Sequence, residues 1–396
     1  LQACDHYHRY REDVALMKKM GLKSYRFSVS WSRILPDGTE KINQKGIEFY
    51  QSLVRELKAA GIEPMVTLYH WDLPYALYLQ GGWKNPQIPD WFAAYTKIVV
   101  EALSDQVQYW MTLNEPQCFV GIGHLQGRHA PFLDEPASLR PVTRHVLLAH
   151  AKAVQTIRQY AKLPPKVGYA PTGPVFSPCG DESEAAIAEA YRRTMEVEGC
   201  YSISWWCDPV LLGRVPEPMA KALGADVFTP QELELLHQPL DYLGFNVYNA
   251  CAAQQPGSEY TANTWQGSPR TAMEWPITPD CIYWAIRFLN QRYGRPILIT
   301  ENGMANTDFV MLDGKVHDPQ RIDYVHRHLL AARRALQEGY PLIGYTYWSI
   351  MDNYEWAEGY SKRFGLIYVD YRTMERIPKD SAAWYAHVIA TNGSEL

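Results

Sequence analysis

Short apolar runs recur along this chain at intervals wide enough to hold a helix between them, and repeating that alternation seven times leaves few folds open. The runs lie near Lys23 to Val29, Glu63 to Tyr69, Gln108 to Asn114, Lys166 to Tyr169, Asp241 to Asn246, Pro296 to Glu301 and Leu342 to Trp348. Strands covered on both faces read as continuous apolar stretches, as these do, whereas half-exposed strands alternate. Between them come amphipathic stretches such as Arg11 to Met20 and Lys45 to Ala60, the second closed by Gly61 in the manner of a helix C-cap. The pattern predicts an α/β protein, a (β/α)8 TIM barrel with seven of its eight strands identifiable. The opening decapeptide, Leu1 to Tyr10, already reads as the approach to the first helix. The first strand is therefore expected to be absent, as if roughly 50 residues of a typical barrel were missing. No Pro/Gly/Ser tract, charge block or low-complexity segment breaks the chain, so residues 1–396 are read as one domain.

In a barrel the C-terminal ends of the strands form the catalytic rim. Two glutamates fall there: Glu115 in Thr112-Leu113-Asn114-Glu115-Pro116 and Glu301 in Ile299-Thr300-Glu301-Asn302-Gly303. Carboxylates brought to one rim from positions 186 residues apart (301 minus 115) suit hydrolysis of a glycosidic bond. That reaction needs a proton donor at the leaving oxygen and a second carboxylate across the sugar. A buried strand-end carboxyl with no cation beside it is held neutral to higher pH, which a proton donor requires. Pro116 fixes the exit of the first strand end, and Asn302-Gly303 suits a tight turn in which backbone approaches a ligand closely. Read alone, either glutamate could be an ordinary strand-terminal residue; the matching pair argues for chemistry.

Both pentapeptides resemble the acid/base and nucleophile signatures of glycoside hydrolase family 1, the β-glucosidase family. The resemblance extends through Tyr25-Arg26-Phe27-Ser28-Val29-Ser30-Trp31, Tyr69-His70-Trp71-Asp72-Leu73-Pro74, Gly244-Phe245-Asn246-Val247-Tyr248 and the stretch from Trp348 to Tyr360, and so covers nearly the whole chain. It implies Glu115 as acid/base and Glu301 as nucleophile. Arg26 would face Glu301, Tyr248 would orient it, and Asn114 would donate to the sugar 2-hydroxyl. It further implies His70 and Trp71 on the 3-hydroxyl side of the sugar, Asn246 in substrate binding, Trp348 as the platform beneath the glycone, and Glu355 with Trp356 at the 4- and 6-hydroxyls. Glu358 is assigned to the structure of its loop. An acidic Glu355 would repel a phosphate, which points to unphosphorylated sugars. A glutamate rather than a glutamine at position 115 points to O-glycosides. In the family, the first strand carries a glutamine that binds the outer hydroxyls, and no position here inherits that role.

The implied activity is that of a retaining β-glycosidase, a β-glucosidase with some β-galactosidase or β-fucosidase activity, working by double displacement without metal or cofactor. Two alternatives remain at this point: a sugar-binding barrel with an impaired site, and an enzyme whose main reaction is transglycosylation.

Net charge is -5, with Lys and Arg scattered, so no electrostatic footprint for nucleic acid or an anionic membrane is present. The 13% aromatic content, with 13 Trp and 27 Tyr, supplies faces for the CH surfaces of a sugar, although a large barrel core would use them equally well. Seven cysteines (Cys4, Cys118, Cys179, Cys200, Cys207, Cys251, Cys281) without a CxxC pair read as reduced thiols in a cytoplasmic enzyme. No run approaches a membrane span, and no basic-then-apolar start resembles a signal peptide. His6 and His8 form an HxH pair that would share a face on a strand, but no third ligand accompanies them, and they are read as structural.

Overall fold

The computed structural model describes residues 3–178, 182–253 and 267–396; Cys179 lies outside them. Eleven strands are present among the described residues: β1 (Ser24–Ser28), β2 (Glu63–Tyr69), β3 (Tyr109–Asn114), β4 (Lys166–Ala170), β5 (Val175–Pro178), β6 (Leu243–Asn246), β7 (Ala250–Ala253), β8 (Ile297–Asn302), β9 (Leu342–Tyr347), β10 (Ile367–Val369) and β11 (Arg376–Pro378). Seven of them, β1 to β4, β6, β8 and β9, correspond to the seven apolar runs. They pair in parallel in the orders β1-β2-β3-β4 and β6-β8-β9. Backbone hydrogen bonds from Asp241 N to Val167 O (2.9 Å) and Asn246 N to Pro171 O (3.0 Å) join the two groups, so β6 follows β4 around the barrel. Two small additions lay outside the sequence reading: a parallel pair, β5 with β7, and an antiparallel pair, β10 with β11.

Helices cover the outside because their sequences present one apolar stripe. In the helix Gln44–Ala59 the buried residues Ile47, Tyr50, Leu53, Val54 and Leu57 recur at helical spacing. Each such side chain contributes about 1.5–3 kcal/mol on burial. The helix ends as its sequence suggests, with Gly61 at φ 77° just beyond it. The helix Leu139–Tyr160 turns Val142, Val146, Ala149, Ala153 and Ile157 inward in the same way. Inside the barrel, Met65, Met111, Ala170, Tyr242 and Leu298 form an apolar plug. The polar rim stands at the strand ends beyond it.

Between β9 and β1 the barrel is open. Among the described residues no backbone hydrogen bond joins these two strands. All six residues of β8 are buried, whereas β9 is only half-buried and its Ile343 is 53% exposed. A cavity of about 430 Å³ fills the gap, lined from one side by Tyr25 and Phe27 and from the other by Tyr345 and Tyr347. It reaches His70 and Trp348 at the rim.

The histidine pair sits on the helix His6–Lys19 rather than on a strand. His6 Nδ1 meets Asp13 at 2.7 Å, and His8 Nδ1 meets Asp5 at 2.6 Å. No helix among the described residues is long and apolar enough to cross a membrane.

Candidate active site

Glu115 and Glu301 are both buried at the strand-end rim, Glu115 just beyond β3 and Glu301 as the penultimate residue of β8, with β4 and β6 between those two strands. Their surroundings differ in charge. Arg26, projecting from β1, donates from Nη1 to Glu301 Oε1 at 2.6 Å, and Tyr248 OH donates to Glu301 Oε2 at 2.7 Å. Both oxygens of Glu301 are thus held by donors, one of them cationic. Glu115 has no such partner: Asn246 Nδ2 donates to its Oε1 at 2.8 Å, and Cys118 brings its thiol into hydrogen-bonding contact. Burial pushes the Glu115 carboxyl from its ordinary 4.5 to about 7, and the negative charge of Glu301 adds to the effect.

Asn114 separates the two environments. Its Oδ1 accepts from Arg26 Nη2 at 2.5 Å and from Asn246 Nδ2 at 3.0 Å, which turns its Nδ2 toward His70 Nε2 at 3.1 Å. Burial drives His70 down to about 4, so the ring is neutral. With Nε2 accepting from the amide, its proton belongs on Nδ1. The His70 ring stacks near Trp348 and Trp356, each with centroids 5.8 Å away, and Trp71 lies 4.7 Å from Trp356. These aromatic faces line one wall. Glu355 is largely buried on the loop after β9, and burial together with the charges of Glu301 and Glu115 raises it to about 8.

All eleven residues singled out by the sequence come to this rim. The indole N–H of Trp71 is already donated to Asn114 O at 3.0 Å, so its ring face is what remains for a ligand. Asn114 spends its oxygen on Arg26 and Asn246, leaving only its amide nitrogen to donate. Glu115, Trp71 and Trp356 all hold positive φ, at 44°, 79° and 43°, the sort of sparsely populated backbone found at functional sites. One expectation is corrected. Gly303 is not held in a ligand-facing turn; a Cβ there would lie 1.9 Å from Trp348 O, so the glycine lets the ends of β8 and β9 pack together. Glu358 accepts through its carbonyl from Ser361 Oγ at 2.8 Å and stays within its loop.

Several contributors were missed. Thr300 Oγ1 donates to Asn246 Oδ1 at 2.6 Å and fixes the amide that serves Glu115. Met111 Sδ accepts from Arg26 Nε at 3.3 Å, and Trp275 packs against Tyr248 with centroids 5.1 Å apart. Thr300 carried a signal in its position beside Glu301; Met111 and Trp275 look like any core residue. Among the described residues no group of three or more His, Cys, Asp or Glu is arranged to hold a metal.

A parallel barrel that presents two buried carboxyls at its rim, one paired with arginine and one without a cation, has the equipment of a glycoside-cleaving enzyme. The model of glycosyl hydrolase family 1 matches residues 2–394, and the chain belongs to that family. It is 42% identical over 400 residues to β-glucosidase A of Thermotoga maritima, covering 99% of this chain and 88% of the relative. It is 41% identical to β-glucosidase A of Acetivibrio thermocellus with the same coverage. The structure of the Thermotoga maritima β-glucosidase in complex with deoxynojirimycin superimposes with a TM-score of 0.89 at 41% identity, covering 99% of this chain and 88% of that one.

Proposed function

We propose that this glycoside hydrolase is a retaining β-glucosidase acting on unphosphorylated O-linked β-glycosides, with Glu301 as nucleophile and Glu115 as acid/base. The observation that carries the assignment is the split between the two carboxyls. Glu301 is gripped by Arg26 and Tyr248, and Glu115 is raised to about 7 with no cation in contact. In the first step a Glu301 oxygen bonds to the anomeric carbon as the bond to the leaving oxygen breaks, and the Glu115 proton passes to that oxygen. Esterification removes the Glu301 charge, one of the two influences that raise Glu115. Glu115 is then better able to stand ionised and to take a proton from the water that hydrolyses the intermediate. Asn114 Nδ2 and His70 supply polar contacts to the ring hydroxyls, Trp348 and Trp71 offer aromatic faces, and Glu355 with Trp356 closes the 4- and 6-hydroxyl side.

The intact carboxyl pair argues against an impaired sugar-binding barrel. The one continuous principal core supports reading residues 1–396 as a single catalytic domain. The six described cysteines are unpaired, which supports a reducing compartment, the cytoplasm. The decisive experiment uses a 2-deoxy-2-fluoro glucosyl donor, which slows the second step and traps the intermediate. Peptide mapping is expected to find the label on Glu301, and product analysis to show retention of the β-configuration. A label on another residue, or inverted product, would remove the assignment.

A further inference from the structure

Behind the pocket, six charged side chains that the chemistry does not use form a closed and balanced set. Asp308, Asp318, Asp352, Arg321 and Lys379 are at most 1% exposed at their side chains, and Arg363 is 15% exposed. Lys379 Nζ bridges Asp308 Oδ2 at 2.5 Å and Asp352 Oδ1 at 2.8 Å. Asp352 Oδ2 accepts from Arg363 Nη1 at 2.6 Å, and Arg363 O accepts from Arg321 Nη2 at 2.8 Å. Arg321 Nη2 returns to Asp308 Oδ2 at 2.6 Å and closes the ring, while its Nη1 holds Asp318. Three cations meet three anions, so no charge is left uncompensated.

The ring ties together segments distant in sequence. Asp308 follows β8, seven residues after Glu301; Arg321 opens the helix Pro319–Gln337; Lys379 stands before the helix Asp380–Ala390. Asp352 lies four residues after Trp348 and three before Glu355, in a stretch without helix or strand. Main-chain bonds tie that stretch to its neighbours at several points, among them Trp348 N to Asn302 O at 2.8 Å, Ile367 N to Ile350 O at 2.9 Å, Asp352 N to Ile367 O at 3.0 Å and Glu355 N to Gly359 O at 2.7 Å, and the Lys379 bridge adds the side-chain tie to Asp308. A buried ionic cluster contributes little net stability over apolar residues of the same volume. What it adds is direction, since each charge accepts only a narrow range of partner positions.

We propose that Lys379 is a positioning residue for glycone recognition: by bridging Asp308 and Asp352 it fixes the Trp348–Glu355 segment against the strand end that carries Glu301. The inference rests on the reading of Trp348 and Glu355 as glycone contacts. A segment shifted by loss of the bridge binds the sugar less well in ground and transition state alike, so the defect appears mainly in KM.

The test compares the wild-type chain with Lys379→Met, Asp352→Asn and Glu355→Gln on aryl β-glucoside and aryl β-xyloside, the latter lacking the 6-hydroxymethyl group. Lys379→Met is expected to raise KM for the glucoside about tenfold or more, to change kcat less than about threefold, and to affect the xyloside less. Asp352→Asn, which keeps the side-chain shape, is expected to do the same and carries the test if Lys379→Met does not fold. Equal losses in kcat and kcat/KM on both sugars, a lowered melting temperature with unchanged KM, or failure of both variants to fold would make the ring purely structural and overturn the proposal. Glu355→Gln separates the two readings: if it leaves the glucoside-to-xyloside ratio unchanged, the assignment of Glu355 fails first and the proposal falls with it.

Discussion

Keeping a buried carboxyl protonated near neutral pH has a thermodynamic consequence that is measurable without substrate. Glu115 binds its proton up to about pH 7 in the folded chain against an ordinary value of 4.5. Between those values the folded protein holds a proton that the unfolded chain has released, so stability is fullest below about pH 4.5 and falls as pH rises to about 7. At 1.36 kcal/mol per pH unit the gap comes to about 3 kcal/mol, an upper figure because neighbouring dipoles relax around the charge. Glu115→Gln keeps the shape and the acceptor for Asn246 Nδ2 but has no proton to lose. It is therefore expected to be more stable than wild type at pH 8 by about 1–3 kcal/mol, roughly 1–4 °C in melting temperature for a chain of this size. That advantage is expected to vanish near pH 4, where wild-type Glu115 is neutral as well. Thermal melts of both proteins from pH 4 to 8, followed by circular dichroism, would decide. If the two curves run parallel across the range, or if Glu115→Gln loses ground as pH rises, the raised carboxyl does not exist and the acid/base reading loses its physical basis.

Glu115→Ala is expected to slow substrates with poor leaving groups by about 10²–10⁴ while sparing the first step of activated aryl glycosides, and azide should restore turnover of the latter; uniform losses without azide rescue would count against it. kcat/KM should fall above about pH 7, where Glu115 releases its proton. Arg26→Met leaves Glu301 facing only Tyr248, so kcat/KM should drop at least about tenfold; an unchanged kcat/KM would separate Arg26 from the nucleophile. The gap between β9 and β1 predicts that an added extended segment able to pair with both edges raises melting temperature and kcat/KM together, and an unchanged melt would show that these edges need no partner.

The parts of this architecture legible in the sequence are those with a local cause. A strand covered on both faces must be apolar along its length, so the seven barrel strands appear within a residue or two of their observed limits. Glu115 and Glu301 stand out because each ends such a run with a charge. The rest depends on what distant segments do to one another. Gly303 looks like a turn residue until Trp348 O is seen against it. Nothing in the sequence shows that the Trp71 N–H is spent on Asn114 O. Asp308, Arg321, Asp352 and Lys379 carry no local signal of burial, and only the meeting of four segments shows that they are buried and mutually compensated. The β5–β7 pair joins two four-residue strands 75 residues apart (250 minus 175), too short for either to announce itself.

The asymmetry between the two carboxyls comes from where one guanidinium is spent. Arg26 enters from β1 and has three nitrogens to place: Nε goes to Met111, Nη1 to Glu301 and Nη2 to Asn114 Oδ1. Asn114, immediately before Glu115, intercepts the donor that would otherwise reach its neighbour. Among the principal influences on Glu115, that of Arg26 is the smallest, and burial and the Glu301 charge prevail. Were Arg26 to contact both carboxyls, both would be held ionised and the leaving oxygen would have no proton source. The amide of Asn114 therefore does more than present a hydrogen bond toward ligand. On the mechanism proposed above, it keeps the Arg26-paired half of the rim, assigned to attack on carbon, apart from the half around Glu115, assigned to proton donation.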